Sequence, residues 1–224
     1  MKKYIYLIMM AFGVATLSVS CTDYLDKSPL SDIDEADPYK NFKNFQGFTE
    51  ELYNCIPLMS SADYHNCWNF GEDEYWQPSE TRMMTYCIDQ GNYWGSNECA
   101  YSFFKAGGPG TSGTNRFDKN HLWGLSWYGI RKANVGLVNL DKMIDATDEE
   151  KKLIEGQLYF FRAFYHFMLM QYCGGLPYID IAIPADQIMR YPRLSYQETA
   201  EKVAADFQKA AGLLPLDWDE TEAG

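Results

Sequence analysis

The sequence predicts an all-α fold, a helical-repeat scaffold with long irregular loop insertions. Three observations lead there. From residue 121 onward, apolar side chains recur at intervals of three and four, the period of a helix face. Two S/T-x-x-E capping boxes, Thr147 with Glu150 and Ser195 with Glu198, mark helix starts by satisfying backbone donors of the first turn. No alternating pattern of comparable strength argues for strands, and Tyr178–Ile183 is at most one short extended piece.

The chain begins with a leader. Lys2 and Lys3 precede an apolar run from Tyr4 to Leu17, followed by Ser18-Val19-Ser20-Cys21. A short positive end, roughly 7–15 apolar residues and small residues before a cut form a secretory signal. The cysteine after the small residues points to a bacterial lipoprotein, with Met1–Ser20 removed and Cys21 lipidated as the new N-terminus. The lipoprotein motif usually has its leucine three residues before the cysteine, whereas Leu17 stands four before Cys21. A plain secreted protein cut near Ser20 therefore stays open. The run falls short of the ~20 residues a membrane-spanning helix needs. Residues 21–38 read as a lipidated tether, polar and rich in Asp23, Asp26, Asp32, Asp34, Glu35 and Asp37. The segment 39–224 follows as the folded domain.

The first helix is expected over about Asn41–Leu58, with Phe45, Phe48, Leu52 and Ile56 on one face. Residues 64–128 differ. They hold Trp68, Trp76, Trp94, Trp123 and Trp127, five of the six tryptophans, amid Tyr, Asn and Gly. Gly107–Gly113 must be a loop, and it lacks the Gly-Lys-Ser/Thr of a phosphate-binding loop.

Beyond it, Trp123, Trp127, Ile130, Ala133, Leu137, Leu140 and Ile144 give one apolar stripe. The helix opened by Thr147, about 148–173, carries Leu158, Phe161, Tyr165, Met168 and Tyr172 on one side. A second stripe of Phe160, Phe164 and Phe167 predicts packing between neighbours. Arg162 and His166 interrupt the run, against a membrane span. Gly174-Gly175 ends it through a left-handed cap, and Pro177 prevents continuation. After a loop through Tyr178–Arg193, Ser195 opens a helix expected to face Tyr196, Ala200, Val203, Phe207, Ala211 and Leu214 inward, with Pro215 ending it. Small residues at Ala133, Gly136, Ala163, Ala204 and Ala211 suit close contacts between stacked helices. Helix starts near 121, 148 and 195 are unevenly spaced, so the regular repeat of about 34 residues is not evident. The scaffold is TPR-like with long insertions.

A hydrophobic content of 46% with 16% aromatics can build the core of one domain or a tight pair. The net charge of −12, made more negative by loss of Lys2 and Lys3, comes without any basic run. Such a surface repels nucleic-acid phosphates and anionic headgroups, so no nucleic acid is expected as a partner; neutral ligands remain open. Cys55 and Cys67 are twelve residues apart, as are Cys87 and Cys99, which allows two local disulfides in an oxidising compartment. Connectivity stays open, and five cysteines after Cys21 leave at least one thiol. Cys173, in an apolar helical run, is expected to be a buried small residue. No metal-ligand spacing appears, and His65, His121 and His166 are far apart, so neither metal nor cofactor is expected.

The motifs carry a resemblance. Cys21-Thr22-Asp23-Tyr24-Leu25-Asp26-Lys27-Ser28-Pro29 resembles the C-x-D-Y-L-D-x-x-P start of SusD/RagB-family lipoproteins. Trp127-Tyr128-Gly129-Ile130-Arg131-Lys132-Ala133-Asn134 is similar to their I-R-x-A-N helix. Glu155 through Tyr165, continuing to Tyr172-Cys173-Gly174-Gly175-Leu176-Pro177, resembles the G-E-A-x-F-x-R-A-x-x-Y…Y-G-G-x-P signature. Arg193 through Glu198, leading to Ala210-Ala211-Gly212-Leu213-Leu214-Pro215, is similar to the segment that follows. Gln157 stands where the family often has Ala, and Cys173 where it often has an aromatic. The four matches come in order across residues 21–215.

The resemblance implies a surface-exposed outer-membrane lipoprotein of Gram-negative glycan foragers. Such proteins bind oligosaccharides, in some members peptides, and cap a TonB-dependent transporter of the SusC type. They are not enzymes, and their α-helical TPR-like pairs support irregular binding loops. They are usually at least twice this length, so residues 39–224 are expected to be the N-terminal part of the family fold. Its last helix would then leave Val203 or Phe207 exposed. The alternative is a helical scaffold lipoprotein that binds only protein partners.

For a neutral sugar, aromatic rings cover C–H faces while polar side chains bond the hydroxyl rim. Residues 68–101 supply both kinds. The candidate ligand-binding residues are Trp68, Tyr75, Trp76, Tyr93, Trp94 and Tyr101, with Asn69, Asp73, Arg82, Asn92 and Asn97 beside them. The competing role for these rings is to pin a long loop to the scaffold. Glu72-Asp73-Glu74 reads as a solvated acidic loop, since a glycosidase needs two carboxyls about 5–9 Å apart across one bond. Arg162 and His166, four apart on a helix, are expected to meet a buried carboxylate such as Glu155. Ala133-Asn134 reads as scaffold, a close helix approach plus a backbone bond.

Overall fold

Helix formation starts at Asn41, whose side chain accepts from the Asn44 backbone N–H at 2.9 Å and so replaces a partner the first turn lacks. The computed structural model describes residues 37–56, 90–94, 122–184, 187 and 190–217. Within these lie four α-helices: α1 Phe42–Asn54, α2 Leu122–Val138, α3 Asp148–Cys173 and α4 Tyr196–Leu213. Short 3-10 turns occupy Asp37–Tyr39 and Leu140–Lys142. No strand occurs among the described residues; an isolated parallel bridge joins Asn41 to Asp145. Helix α3 is central, packing most extensively on α4, then on α2, with α1 against both α2 and α3.

Helix α1 buries Phe45, Thr49 and Leu52 and packs Phe48 and Ile56 at the core's edge. It ends at Asn54, shorter than the expected run to Leu58. Helix α2 turns its face further toward Leu122, Leu125 and Ser126 than the stripe through Trp123 predicts. The helix also stops at Val138, and Ile144, expected in the stripe, is 70% exposed beyond it. The Asn139 side chain donates to the Val135 carbonyl at 2.7 Å, a local bond that competes with further helix and starts the turn.

Two glycines bring α2 and α3 together. A Cβ on Gly129 would lie 2.4 Å from the Tyr165 ring, and one on Gly136 would lie 2.6 Å from Leu158 Cδ2. Tyr165 is fully buried, and its hydroxyl donates to the Leu52 carbonyl of α1, so one side chain joins three helices.

Both capping boxes form. Thr147 Oγ1 accepts from the Glu150 N–H while Glu150 Oε2 accepts from the Thr147 N–H at 2.7 Å, and Ser195 with Glu198 repeats the arrangement. Helix α3 ends at Gly174 as expected, though with φ +75° and ψ −149° in place of the left-handed helical cap; a residue with Cβ rarely adopts that φ. Gly175 permits the chain to pass under the start of α4; a Cβ there would meet the Leu194 carbonyl oxygen at 2.1 Å.

The inward face of α4 differs from the expected one. Thr199, Val203, Asp206 and Ala210 are buried, while Tyr196, Ala204 and Ala211 are exposed. Val203 is therefore covered, and Phe207 is half-covered against Phe160 at 5.6 Å, which corrects the expectation of an open last face. On this buried face Asp206 pairs with the buried Arg162 of α3 at 2.6 Å, a contact that is costly to break once formed. The second stripe of α3 is also less enclosed than expected, with Phe160 39% and Phe167 42% exposed. Cys55 and Cys173 are buried, Cys55 donating to the Glu51 carbonyl, while Cys67, the expected partner of Cys55, lies outside the described residues. Cys87 and Cys99 lie outside the described residues. Among the described residues no helix is long and apolar enough to cross a membrane.

Candidate functional site

The end of α3 and the segments beside it enclose a cavity of about 470 Å³. Helix α2 contributes Trp123 and Trp127, four residues apart and edge to face at 5.6 Å. Cys173, Leu176 and Pro177 form one wall, and Tyr191 and Arg193 come from the segment before α4. Trp94, 66% exposed, also lines the cavity. The turn at 90–94 holds that ring out through Gly91, at φ +72°, and through Tyr93. Tyr93 donates its hydroxyl to the Tyr172 carbonyl at 2.5 Å and meets Trp94 edge-on at 5.2 Å. Burial, then the neighbouring Cys173 and Tyr172, push the Tyr93 phenol up to about 12. Tyr93 is thus an anchor and Trp94 the displayed ring.

Arg193 is fixed by backbone. Its Nε donates to the Gly175 carbonyl at 2.9 Å and its Nη2 to the Cys173 carbonyl at 2.7 Å. A cation at a helix C-terminus meets carbonyls that lack intrahelical partners and the negative end of the helix dipole. The guanidinium therefore sits at the cavity in one place.

Behind the wall lies a buried polar network. Arg162 Nε and Nη2 donate to the two Asp206 oxygens at 2.6 and 2.8 Å, and Tyr178 donates to Asp206 Oδ2 at 2.5 Å. Arg162 Nη1 reaches Asn134 Oδ1 at 3.0 Å and the Asp180 carbonyl at 3.3 Å, while Asn134 Nδ2 donates to the Ile179 carbonyl. Burial opposes the Arg162 charge, but the Asp206 contact overcomes it and holds the pKa above its ordinary value. The partner is Asp206 of α4, which corrects Glu155. His166 meets no carboxylate. Its Nε2 accepts from the Ile179 N–H at 3.1 Å, so the proton sits on Nδ1, which donates to the Arg162 carbonyl at 2.8 Å. Burial lowers its pKa to about 4. The ring stacks on Tyr178 at 4.0 Å and meets Trp127 edge-on at 5.9 Å, so the network also seats a cavity indole. Asn134 is scaffold, as expected, making its backbone bond to Ile179.

A second cavity, of about 290 Å³, is lined by α2 and the extended run through Ile179, Ile181 and Ile183. Trp127 belongs to both linings.

A SusD-like family model, described as starch-binding and associating with the outer membrane, matches residues 23–223. The chain belongs to this SusD-like family. SusD-like protein P2 of Formosa agariphila is 35% identical over 86 residues, covering 37% of this chain and 15% of that protein. The crystal structure of a SusD-like protein from Bacteroides fragilis superposes with a TM-score of 0.57 at 19% identity, covering 88% of this chain and 34% of the other. A SusD superfamily protein from Bacteroides vulgatus gives 0.50 at 16% identity, covering 81% and 39%. At these identities the two structures show the fold alone. The SusD-like chain spans well under half the length of each of these relatives. The family resemblance and the all-α fold read from the motifs both hold.

Of the ligand-binding residues expected from the SusD-like sequence, Asn92, Tyr93 and Trp94 are described, and of these Trp94 lines the cavity. Asn92 is exposed in the same turn. Trp68, Asn69, Asp73, Tyr75, Trp76, Arg82, Asn97 and Tyr101 lie outside the described residues, as do Cys21 and the Glu72-Asp73-Glu74 loop. Trp123, Trp127, Tyr191 and Arg193 were not expected there. The signal for the first two was present, since they close the tryptophan-rich stretch 64–128. Tyr191 and Arg193 gave none, because only the fold returns them to α3.

Proposed function

We propose that this protein binds neutral oligosaccharides without cleaving them and delivers them to a SusC-type TonB-dependent transporter. In this reading Met1–Ser20 is a signal peptide, and lipid on Cys21 with the tether 21–38 holds the domain at the outer-membrane surface. The observation that carries it is the cavity of about 470 Å³ with Trp94, Trp123 and Trp127 around it and a backbone-fixed Arg193. Indole faces cover the C–H faces of sugar rings, and a guanidinium with N–H groups left over donates to ring hydroxyls. The volume falls within the range of about 300–1,000 Å³ usual for small-ligand sites. The net charge of −12 disfavours anionic ligands and leaves neutral ones open.

The test is calorimetric titration of the intact protein with a panel of neutral oligosaccharides, alongside Trp123→Ala. Saturable binding weakened by the substitution supports the reading. A second reading, a scaffold for protein partners alone, draws on the half-exposed Phe160 and Phe167 of α3. Co-purification with the transporter and no glycan binding would select it. Release of shortened products would show an enzyme instead.

A further inference from the structure

The cavity beyond Trp127 has a different chemistry from the first. Its walls are almost wholly apolar: Ile130 of α2 faces Ile179, Ile181 and Ile183, which share one side of an extended run. Four backbone groups along that run are already engaged. The Ile179 N–H goes to His166, the Ile179 carbonyl accepts from Asn134, the Asp180 carbonyl from Arg162 and the Ile183 carbonyl from Arg131. Tyr128, also in the lining, donates its hydroxyl to Glu51 at 2.7 Å. Arg131 gives one N–H to Ile183, keeps further N–H groups and carries no acceptor. Among the described lining side chains, then, the cavity offers an apolar surface and a donor.

A bare sugar ring does not fit such a place, because each hydroxyl proton entering it needs an acceptor. The complementary group has a methyl, an acceptor and no donor, which describes an acetyl ester. We propose that this second cavity receives an O-acetyl substituent of an oligosaccharide whose rings occupy the Trp94–Trp123 cavity. The ester methyl lies against Ile179, Ile181 and Ile183, and its carbonyl accepts from Arg131. Trp127, common to both linings, is where ring and substituent part. Ile181, 48% exposed, is the mouth through which the ester enters. This rests on the oligosaccharide reading above and narrows it to O-acetylated chains.

The experiment takes the neutral oligosaccharide that binds best in the panel, partly O-acetylates it with acetic anhydride, and captures it on the immobilised intact protein. Mass spectrometry then compares acetyl content in bound and unbound fractions, so that the few correctly placed esters are selected from the mixture. Burying one methyl predicts about fourfold enrichment of acetylated chains in the bound fraction. Ile181→Asp and Arg131→Met should each abolish the enrichment and leave capture of unacetylated chains intact. Equal acetyl content in both fractions, or enrichment that survives both substitutions, overturns the inference while the glycan-binding reading stands. Absence of any captured oligosaccharide overturns both.

Discussion

The two sides of the run 176–183 contrast sharply. One side faces Arg162, Asp206, Asn134 and His166, where polar groups meet at 2.5 to 3.3 Å. The other faces the cavities with rings and aliphatic groups. Directional bonds fix a chain segment in one position; apolar contact tolerates small shifts of whatever lies on it. The difference teaches a division of labour, in which the buried network sets where the wall stands and the wall's outer side lines the cavities.

Breaking the network should have the largest effect. Asp206→Ala leaves the buried Arg162 cation without its carboxylate and removes the acceptor of the Tyr178 hydroxyl, so unfolding in urea should show about 3–5 kcal/mol of lost stability. A loss under about 1 kcal/mol would mean the wall is held by apolar packing alone.

Acid should come next. Folded His166 has a pKa lowered to about 4, against about 6.5 when unfolded. Below 6.5 the unfolded chain takes up a proton that the folded ring refuses. Stability is therefore full above pH 6.5 and declines as pH falls from 6.5 toward 4, by about 3 kcal/mol at most. Urea midpoints across this window should fall more for the native sequence than for His166→Gln; parallel curves would contradict the assignment.

Smaller still is Ser195→Ala, which removes the cap of α4 just after the rim residue Arg193. About 1 kcal/mol should be lost in thermal unfolding, with weaker oligosaccharide binding as the rim loosens. The least change in stability belongs to Trp94→Ala on the apolar side. Its exposed ring should alter unfolding by under about 0.5 kcal/mol yet weaken oligosaccharide binding about tenfold, and equal damage to both would erase the division drawn here.

The sequence was most legible where local rules decide. The capping boxes at Thr147 and Ser195 located α3 and α4 to the residue, because their partners stand three positions away. Gly174 announced the end of α3 for the same reason. Failures came where distant residues decide. Arg162 is expected to pair on its own helix, but Asp206, 44 positions on, takes that place from the buried face of α4. The cavity joins residues 94, 123, 127, 173, 177 and 193, and no periodicity links the last of these to the first. Trp94 was found through composition, whereas Arg193 required the return of the chain beneath Gly175.

The Arg193 clamp has one consequence for what can vary around it. Its acceptors are main-chain oxygens of Cys173 and Gly175, atoms that every amino acid possesses. The side chain at position 173 can therefore be exchanged, resizing the floor of the cavity, while the arginine keeps its two handholds. Shape at that spot is free to drift without dismantling the clamp that borders it.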